Sequence, residues 1–368
     1  MKQSKIFATV LAVMAGAALT AMPAGAQYFK GKTITVLIGY SPGGGADTQS
    51  RLLTPYLARH VPGNPKMIVK NMTGGGGTKA QNFMYERAKK DGLTIVYTPS
   101  AAQSQLLERT GIRYDYGKIE IIGAMVGAPV MAYARKDLVP GGMKNPEDIV
   151  KAKGIKIGGR RASSPLDMFA RGALDTLGVK YNYVPGYKGG SRVSAGVRRN
   201  EVNMAGNGLD SWIARFAPSM MGDKACCIPL WYFQFRNADG TTSKSTTGGL
   251  RSFEDVYRSI HGKAPSGPFW EKFMFLISLR SAVTHLYMGP PGMNKQALAD
   301  LRTGFDKMIK DPEAMAKQKK VLHNVYRAVS RESASKAFKS ISQIDRSMVK
   351  FWKAYVKAGT KKKKKKKK

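Results

Sequence analysis

Cysteine is nearly absent from this 368-residue chain, and its two examples, Cys226 and Cys227, stand side by side. Sequence neighbours can close only a strained ring, outside the geometry of an ordinary disulfide. A disulfide framework is therefore excluded, and two free, largely buried thiols are expected at the head of Cys-Cys-Ile-Pro-Leu-Trp-Tyr-Phe233. The four histidines (His60, His261, His285, His323) lack the spacing that gathers ligands round a metal, so no metal and no cofactor is expected. Acidic residues are few: 24 against 61 Lys and Arg, a net charge of +37. The terminal run Lys361 to Lys368 carries eight of those charges and leaves +29 without them; it reads as a disordered, solvated tail or as an added sequence. The remaining excess is spread along the chain and matches no nucleic-acid module, which favours anionic ligands and anionic membrane surfaces. One apolar run, Ile6 to about Met22, lies between Lys2 and Lys5 and Pro-Ala-Gly-Ala26, the three parts of a secretory signal peptide cleaved before Gln27. It is short for a membrane span, and no other stretch is apolar over the ~20 residues such a span needs. Export is expected, to the periplasm of a Gram-negative source.

What the chain does have is glycine after apolar runs. Thr33-Ile-Thr-Val-Leu-Ile-Gly-Tyr-Ser41-Pro-Gly43-Gly44-Gly45-Ala-Asp47 reads as strand, tight loop and the start of a helix running to Arg59. Glycine lets a ligand approach the backbone, and the first helical turn presents unpaired N–H groups with partial positive charge, an anion cradle. No Gly-Lys-Ser/Thr follows, so this is not a nucleotide P-loop, and the G-x-G-x-x-G spacing of a dinucleotide fold is missing. A carboxylate fits better. Taken singly, the loop reads equally well as a plain Gly-rich turn.

The design recurs. Lys66 to Asn71 is a strand entering Gly74 to Gly77 and a helix from Lys79 to Lys89; Leu93 to Tyr97 is a strand ending in Thr98-Pro-Ser100. A strand from Tyr116 to Met125 follows, and Pro129 to Ala134 begins a second set. The strand at Ile155 opens into Gly159-Arg-Arg-Ala-Ser163-Ser164-Pro165, with either serine placed to cap the next helix. Arg160 and Arg161 offer charge there, but neighbours on an extended strand point to opposite faces. Tyr181 to Val184 leads into Pro-Gly-Tyr187-Lys-Gly189-Gly-Ser191 and a helix to Asn200; Val202 to Ala205 ends in Gly-Asn207-Gly-Leu-Asp210. In open α/β sheets ligands gather beyond the carboxyl ends of strands, so two such sets predict two lobes across a cleft. The segment from Phe216 to Tyr287 is aromatic (Trp231, Tyr232, Phe233, Phe235, Phe269, Trp270, Phe273, Phe275) and is expected to be core, with stacking on an aromatic acid as the alternative. Helices are expected over Lys295 to Lys310, Glu313 to His323 and, as one long element packed on the first lobe, Glu332 to about Lys357.

Lys32 to Asp47, Asn71 to Gly77, Lys90-Asp-Gly-Leu-Thr-Ile95 and Tyr187-Lys-Gly-Gly190 followed by Glu201-Val-Asn203 resemble, in that order, the solute-binding receptors of tripartite tricarboxylate transporters, the Bug or TctC-like proteins. The likeness covers most of Phe29 to Asp210 and returns at Tyr287-Met-Gly-Pro-Pro-Gly292. It implies a two-lobed α/β flytrap, each lobe a sheet flanked by helices, with two crossovers near Met125 and Met288. Lobe one would hold residues 27–124 and 288–359, lobe two 125–287, with 1–26 as leader and 360–368 as tail. The resemblance implies that a small di- or tricarboxylate or aromatic acid is clamped by Ser41, Gly43, Gly44, Gly45, Asp47, Thr98, Ser100, Ser163, Ser164, Tyr187, Gly189 and Asn207, then delivered to a membrane permease by a monomeric, non-catalytic receptor. Asp47 would orient the loop or hold a water, since direct contact with an anion repels. Ser41 stands where the family usually has proline, and Gly159-Arg160-Arg161 where it has glycines, so ligand identity does not transfer. An exported hydrolase of an anionic substrate is the alternative class; a sensor that signals to a membrane kinase could use the same fold.

Overall fold

The first strand, β1 (Thr33–Ile38), is a run of β-branched and aliphatic residues whose last three side chains are all buried, because strands flank it on both sides. The structure is a computed structural model that describes residues 27–99, 107, 111–221, 225–236, 242–243, 249–341 and 344–360. The expected leader, Ser100 and the lysine run lie outside the described residues. After β1 come α1 (Gly45–His60), β2 (Lys66–Asn71), α2 (Thr78–Arg87), β3 (Thr94–Pro99) and β4 (Glu120–Val126). The chain then passes to β5 (Val130–Arg135), β6 (Ile155–Gly158), α3 (Pro165–Thr176), β7 (Tyr181–Val184), α4 (Gly190–Arg198), β8 (Met204–Gly208) and β9 (Cys227–Tyr232). A short hairpin, β10 (Phe235–Arg236) and β11 (Thr242–Ser243), precedes α5 (Phe253–His261) and α6 (Pro268–Ala282). It returns through β12 (His285–Gly289), α7 (Lys295–Met308), α8 (Pro312–Leu322), β13 (Arg327–Val329), α9 (Arg331–Ile341) and α10 (Arg346–Thr360).

Two sheets result, in the orders β13-β4-β12-β3-β1-β2 and β7-β6-β8-β5-β9. In the first, β2, β1 and β3 are parallel while β12 runs antiparallel between β3 and β4; in the second, β7, β6 and β8 are parallel while β5 runs antiparallel between β8 and β9. This is a two-lobed α/β fold with one mixed sheet per lobe. The outward crossing follows Val126. The return falls at Val283–Thr284, earlier than Met288, because His285 already pairs with Pro99 and Met125 in the first sheet. The two crossings are tied together: Thr284 N donates to Met125 O (2.9 Å), and Gly127 N donates to Thr284 Oγ1 (2.5 Å).

The C-terminal region departs from expectation. In place of one helix there are two: α9 packs on β4 of lobe one and also meets α6, while α10 lies over lobe two. Phe338 of α9 stacks on Tyr116 of lobe one (4.8 Å between centroids), whereas Trp352 and Tyr355 of α10 pack on Phe269 of α6 at 6.4 and 6.0 Å. Arg171 of α3 donates to Tyr355 O (3.0 Å), so α10 is a strap laid back over lobe two. A straight helix cannot present its apolar stripe to two lobes at once, hence the break. The aromatic segment is core: Trp231, Phe233 and Phe273 are buried, with Phe233 5.1 Å from Phe169 and 5.7 Å from Phe273. Cys226 and Cys227 are both free, and burial pushes the Cys227 thiol up.

Candidate functional site

Where β1 ends, the backbone turns sharply and two glycine loops meet. A Cβ on Gly39 would lie 2.3 Å from the Cα of Gly77, so the first loop rests directly on the second, whose residues Gly74 to Gly77 all hold positive φ. Gly39→Ala is expected to lower stability by about 1–3 kcal/mol through this backbone clash, read by chemical denaturation; an unchanged midpoint would contradict the packing. Gly43 (φ 70°) closes the turn, and its N–H donates to Asp47 Oδ2 at 2.9 Å. Asp47 also accepts from Arg51 Nε (3.0 Å) and Asn71 Nδ2 (2.8 Å), and Asn71 Nδ2 reaches Tyr40 O (2.9 Å). Burial opposes ionisation of Asp47, but these hydrogen bonds outweigh it and hold the carboxyl below its ordinary range. Asp47 thus fixes the loop, and α1 begins at Gly45 with N-cap Gly44 making no side-chain cap.

Lobe two repeats this chemistry with a different carboxylate. Asp167, fully buried on the first turn of α3, accepts from Arg160 N (2.5 Å), Arg161 N (3.0 Å), Tyr183 OH (3.0 Å) and Arg160 Nη1 (3.1 Å). The strand ends at Gly158, so the alternation argument does not govern Arg160 and Arg161: both amides face Asp167, and Arg161 Nη2 reaches across to Gly76 O (3.3 Å). Ser164 stands at the N-cap of α3 with Pro165 after it, but its hydroxyl caps nothing; Ser163 and Ser164 are both buried. α4 starts from Gly189, again uncapped, with the carboxamide of Asn207 beside Gly190. By contrast, α5, α7 and α8, away from these loops, are capped by Ser252, Asn294 and Asp311.

The two lobes touch through these loops. Ser41 Oγ donates to Lys188 O (3.3 Å), Ser191 Oγ to Gly43 O (3.5 Å) and Arg215 Nη1 to Thr48 Oγ1 (2.8 Å). A Cβ on Gly45 would meet Ser211 Oγ at 2.7 Å. Deeper in, Asp210 of lobe two accepts from Gln49 Nε2 (2.8 Å) and Tyr326 OH (2.6 Å) on one oxygen and from Ser211 N (2.7 Å) on the other. All three side chains are buried. A carboxylate held by neutral donors therefore ties the two lobes together, as a latch between them.

Of the expected contacts, Ser41, Gly43, Gly44 and Gly189 lie on the facing loops, Gly45 and Asp47 on the first turn of α1, and Asn207 near the end of β8. The Tyr187 ring does not: its hydroxyl turns back to Glu201 (3.1 Å), leaving only its backbone near the cleft. Thr98 is buried with its hydroxyl on Pro99 O (2.9 Å). Sequence reading missed Gln49, Asp210 as a latch, Tyr326, His285 and Arg280; the one available signal was Arg280 itself, a lone charge ending the apolar run Phe273-Met-Phe-Leu-Ile-Ser-Leu. His285 is stacked between Tyr97 (5.9 Å) and Tyr326 (4.7 Å), with Nδ1 2.9 Å from Thr284 Oγ1. Burial first, then the Arg280 charge, lowers its pKa from 6.5 to about 3. The unfolded chain therefore binds a proton that the folded chain refuses as pH falls from 6.5 towards 3, and stability is lost over that window. His285→Gln is expected to flatten the stability profile there, measured by denaturation at a series of pH values; parallel profiles would contradict a buried neutral imidazole.

This fold is that of the two-lobed periplasmic binding proteins. Among solved structures it is shared with the periplasmic binding protein BugD, at a TM-score of 0.64 and 17% identity over 90% of this chain and 98% of that one. MatC from Rhodopseudomonas palustris, solved with bound malate, gives 0.63 at 15% identity over 89% of this chain and 100% of its own. A second protein from that organism, solved with adipate, gives 0.63 at 15% over 89% and 97%. At these identities the likeness establishes the fold. No family model matches the chain, and no curated protein does.

Proposed function

We propose that this chain is a receptor of the Bug and TctC-like family, exported to the periplasm, that closes two lobes on a small carboxylate and hands it to the permease of a tripartite transporter. The observation that carries this reading is the meeting of two uncapped helix starts, α1 at Gly44 in lobe one and α4 at Gly189 in lobe two, on loops already in hydrogen-bond contact. Unpaired N–H groups and dipoles aimed at one place from both sides neutralise an anion without a fixed counter-charge, and dissociation follows once the lobes part. Ser41, Gly44, Gly45, Gly189 and Asn207 would touch the ligand, with Asp47 and Asp167 holding the loops. Malate and adipate in the like-folded proteins support the choice of carboxylate.

Thermal unfolding against a panel of mono-, di- and tricarboxylates and aromatic acids tests this. A ligand at a hundredfold excess over its Kd stabilises by about 2.7 kcal/mol, a plain rise in Tm, and is recovered chemically unchanged. No shift with any acid contradicts the receptor; turnover of a ligand contradicts a purely binding role.

A further inference from the structure

Arg280 sits at the end of α6 beside the return crossing, 7% exposed, and makes no hydrogen bond or ion pair with a described residue; its Nε is buried with no acceptor. The other arginines around the cleft are engaged: Arg160 by Asp167, Arg161 by Gly76 O, Arg215 by Thr48 and Arg171 by Ala162 O and Tyr355 O. Its electrostatic neighbours are Asp210 and Arg160 from lobe two and the phenols of Tyr40 and Tyr326 from lobe one, which sets it between the lobes. Asp210 cannot serve it fully, since both its oxygens already accept from Gln49, Tyr326 and Ser211. Gln49, whose amide holds Asp210, is four residues along α1 from Gly45, about 6 Å along the helix axis.

A guanidinium whose Nε is buried without an acceptor is unfavourable unless a partner arrives, and its planar fork matches a carboxylate. We propose that Arg280 is the anchor for a second carboxylate, so that this cleft takes straight-chain dicarboxylates, one end on the amides of Gly44 to Asp47 and the other on Arg280. The inference rests on the carboxylate-receptor reading and narrows it: a monoacid would leave Arg280 unanswered.

Succinate, glutarate and adipate are titrated calorimetrically into the full chain, each beside its half-amide, a monoanion of the same length. Charge-assisted hydrogen bonds are worth roughly 10–100-fold in affinity, so the best diacid should bind at least about tenfold tighter than its half-amide. Arg280→Gln should close that gap by weakening the diacid while moving the half-amide less than about twofold, and Arg280→Lys should fall between. Equal affinity of diacid and half-amide for the unaltered protein overturns the proposal while leaving the receptor intact. So does an Arg280→Gln variant that weakens both ligands alike. Should that variant fail to fold, the diacid and half-amide comparison decides alone. Binding of none of these acids, in either form, overturns the receptor reading with it.

Discussion

Asp210→Leu lowers the stability of the ligand-free protein by about 3–5 kcal/mol, the range for breaking a buried charge arrangement from one side. The carboxylate is the meeting point of two lobes: Gln49 comes from α1 next to the first glycine loop, Tyr326 from the turn before β13, and both are buried. Leucine strands these donors and takes from Arg280 the nearby carboxylate that favours its charged form. Removing Arg280 as well, as Asp210→Leu with Arg280→Leu, should recover part of the loss, because the stranded buried guanidinium goes with it. Urea denaturation of the single and double variants measures both. A single variant within about 1 kcal/mol of the parent would show that the latch contributes little beyond ordinary hydrogen bonds.

Gly44→Val reduces carboxylate affinity by a hundredfold or more while the fold survives. Gly44 holds φ −80° and ψ 168°, a conformation valine adopts readily, and its Cβ would approach only Ser41 O, at 3.2 Å. The branched side chain would overhang the uncapped first turn of α1, where the anion is expected, and withdraw its amides from a ligand. Calorimetric titration with the acid that best stabilises the parent reads the affinity, and a cooperative melt reads the fold. Unchanged affinity would remove the cradle from the account.

The lobes were legible in the sequence because their signals are local. A β-branched run, a glycine turn and an apolar stripe at helical spacing mark β1 and α1 without reference to anything else, and the same grammar recurs at Lys66, Ile155 and Tyr181. What escaped was set by distance in the chain. Asp210 meets Gln49 across 161 residues and Tyr326 across 116, and no periodicity encodes such pairs. The arginine pair was misjudged for a local reason. β6 stops at Gly158, two residues before Arg160, and Asp167 draws both amides to itself. The last helix was read as one because Phe338, Ile341, Ile344, Met348 and Phe351 keep helical spacing through the break; only the packing of Phe338 on lobe one and Trp352 on lobe two shows that the stripe changes partner.

The central claim is that amides from both lobes hold one small anion. Backbone 15N–1H shifts followed during titration with a dicarboxylate test it most directly. The account predicts saturable shifts at a common Kd for Gly44, Gly45 and Ala46 in lobe one and for Gly190 and Ser191 in lobe two. Shifts confined to one lobe, or concentrated elsewhere on the surface, would contradict it.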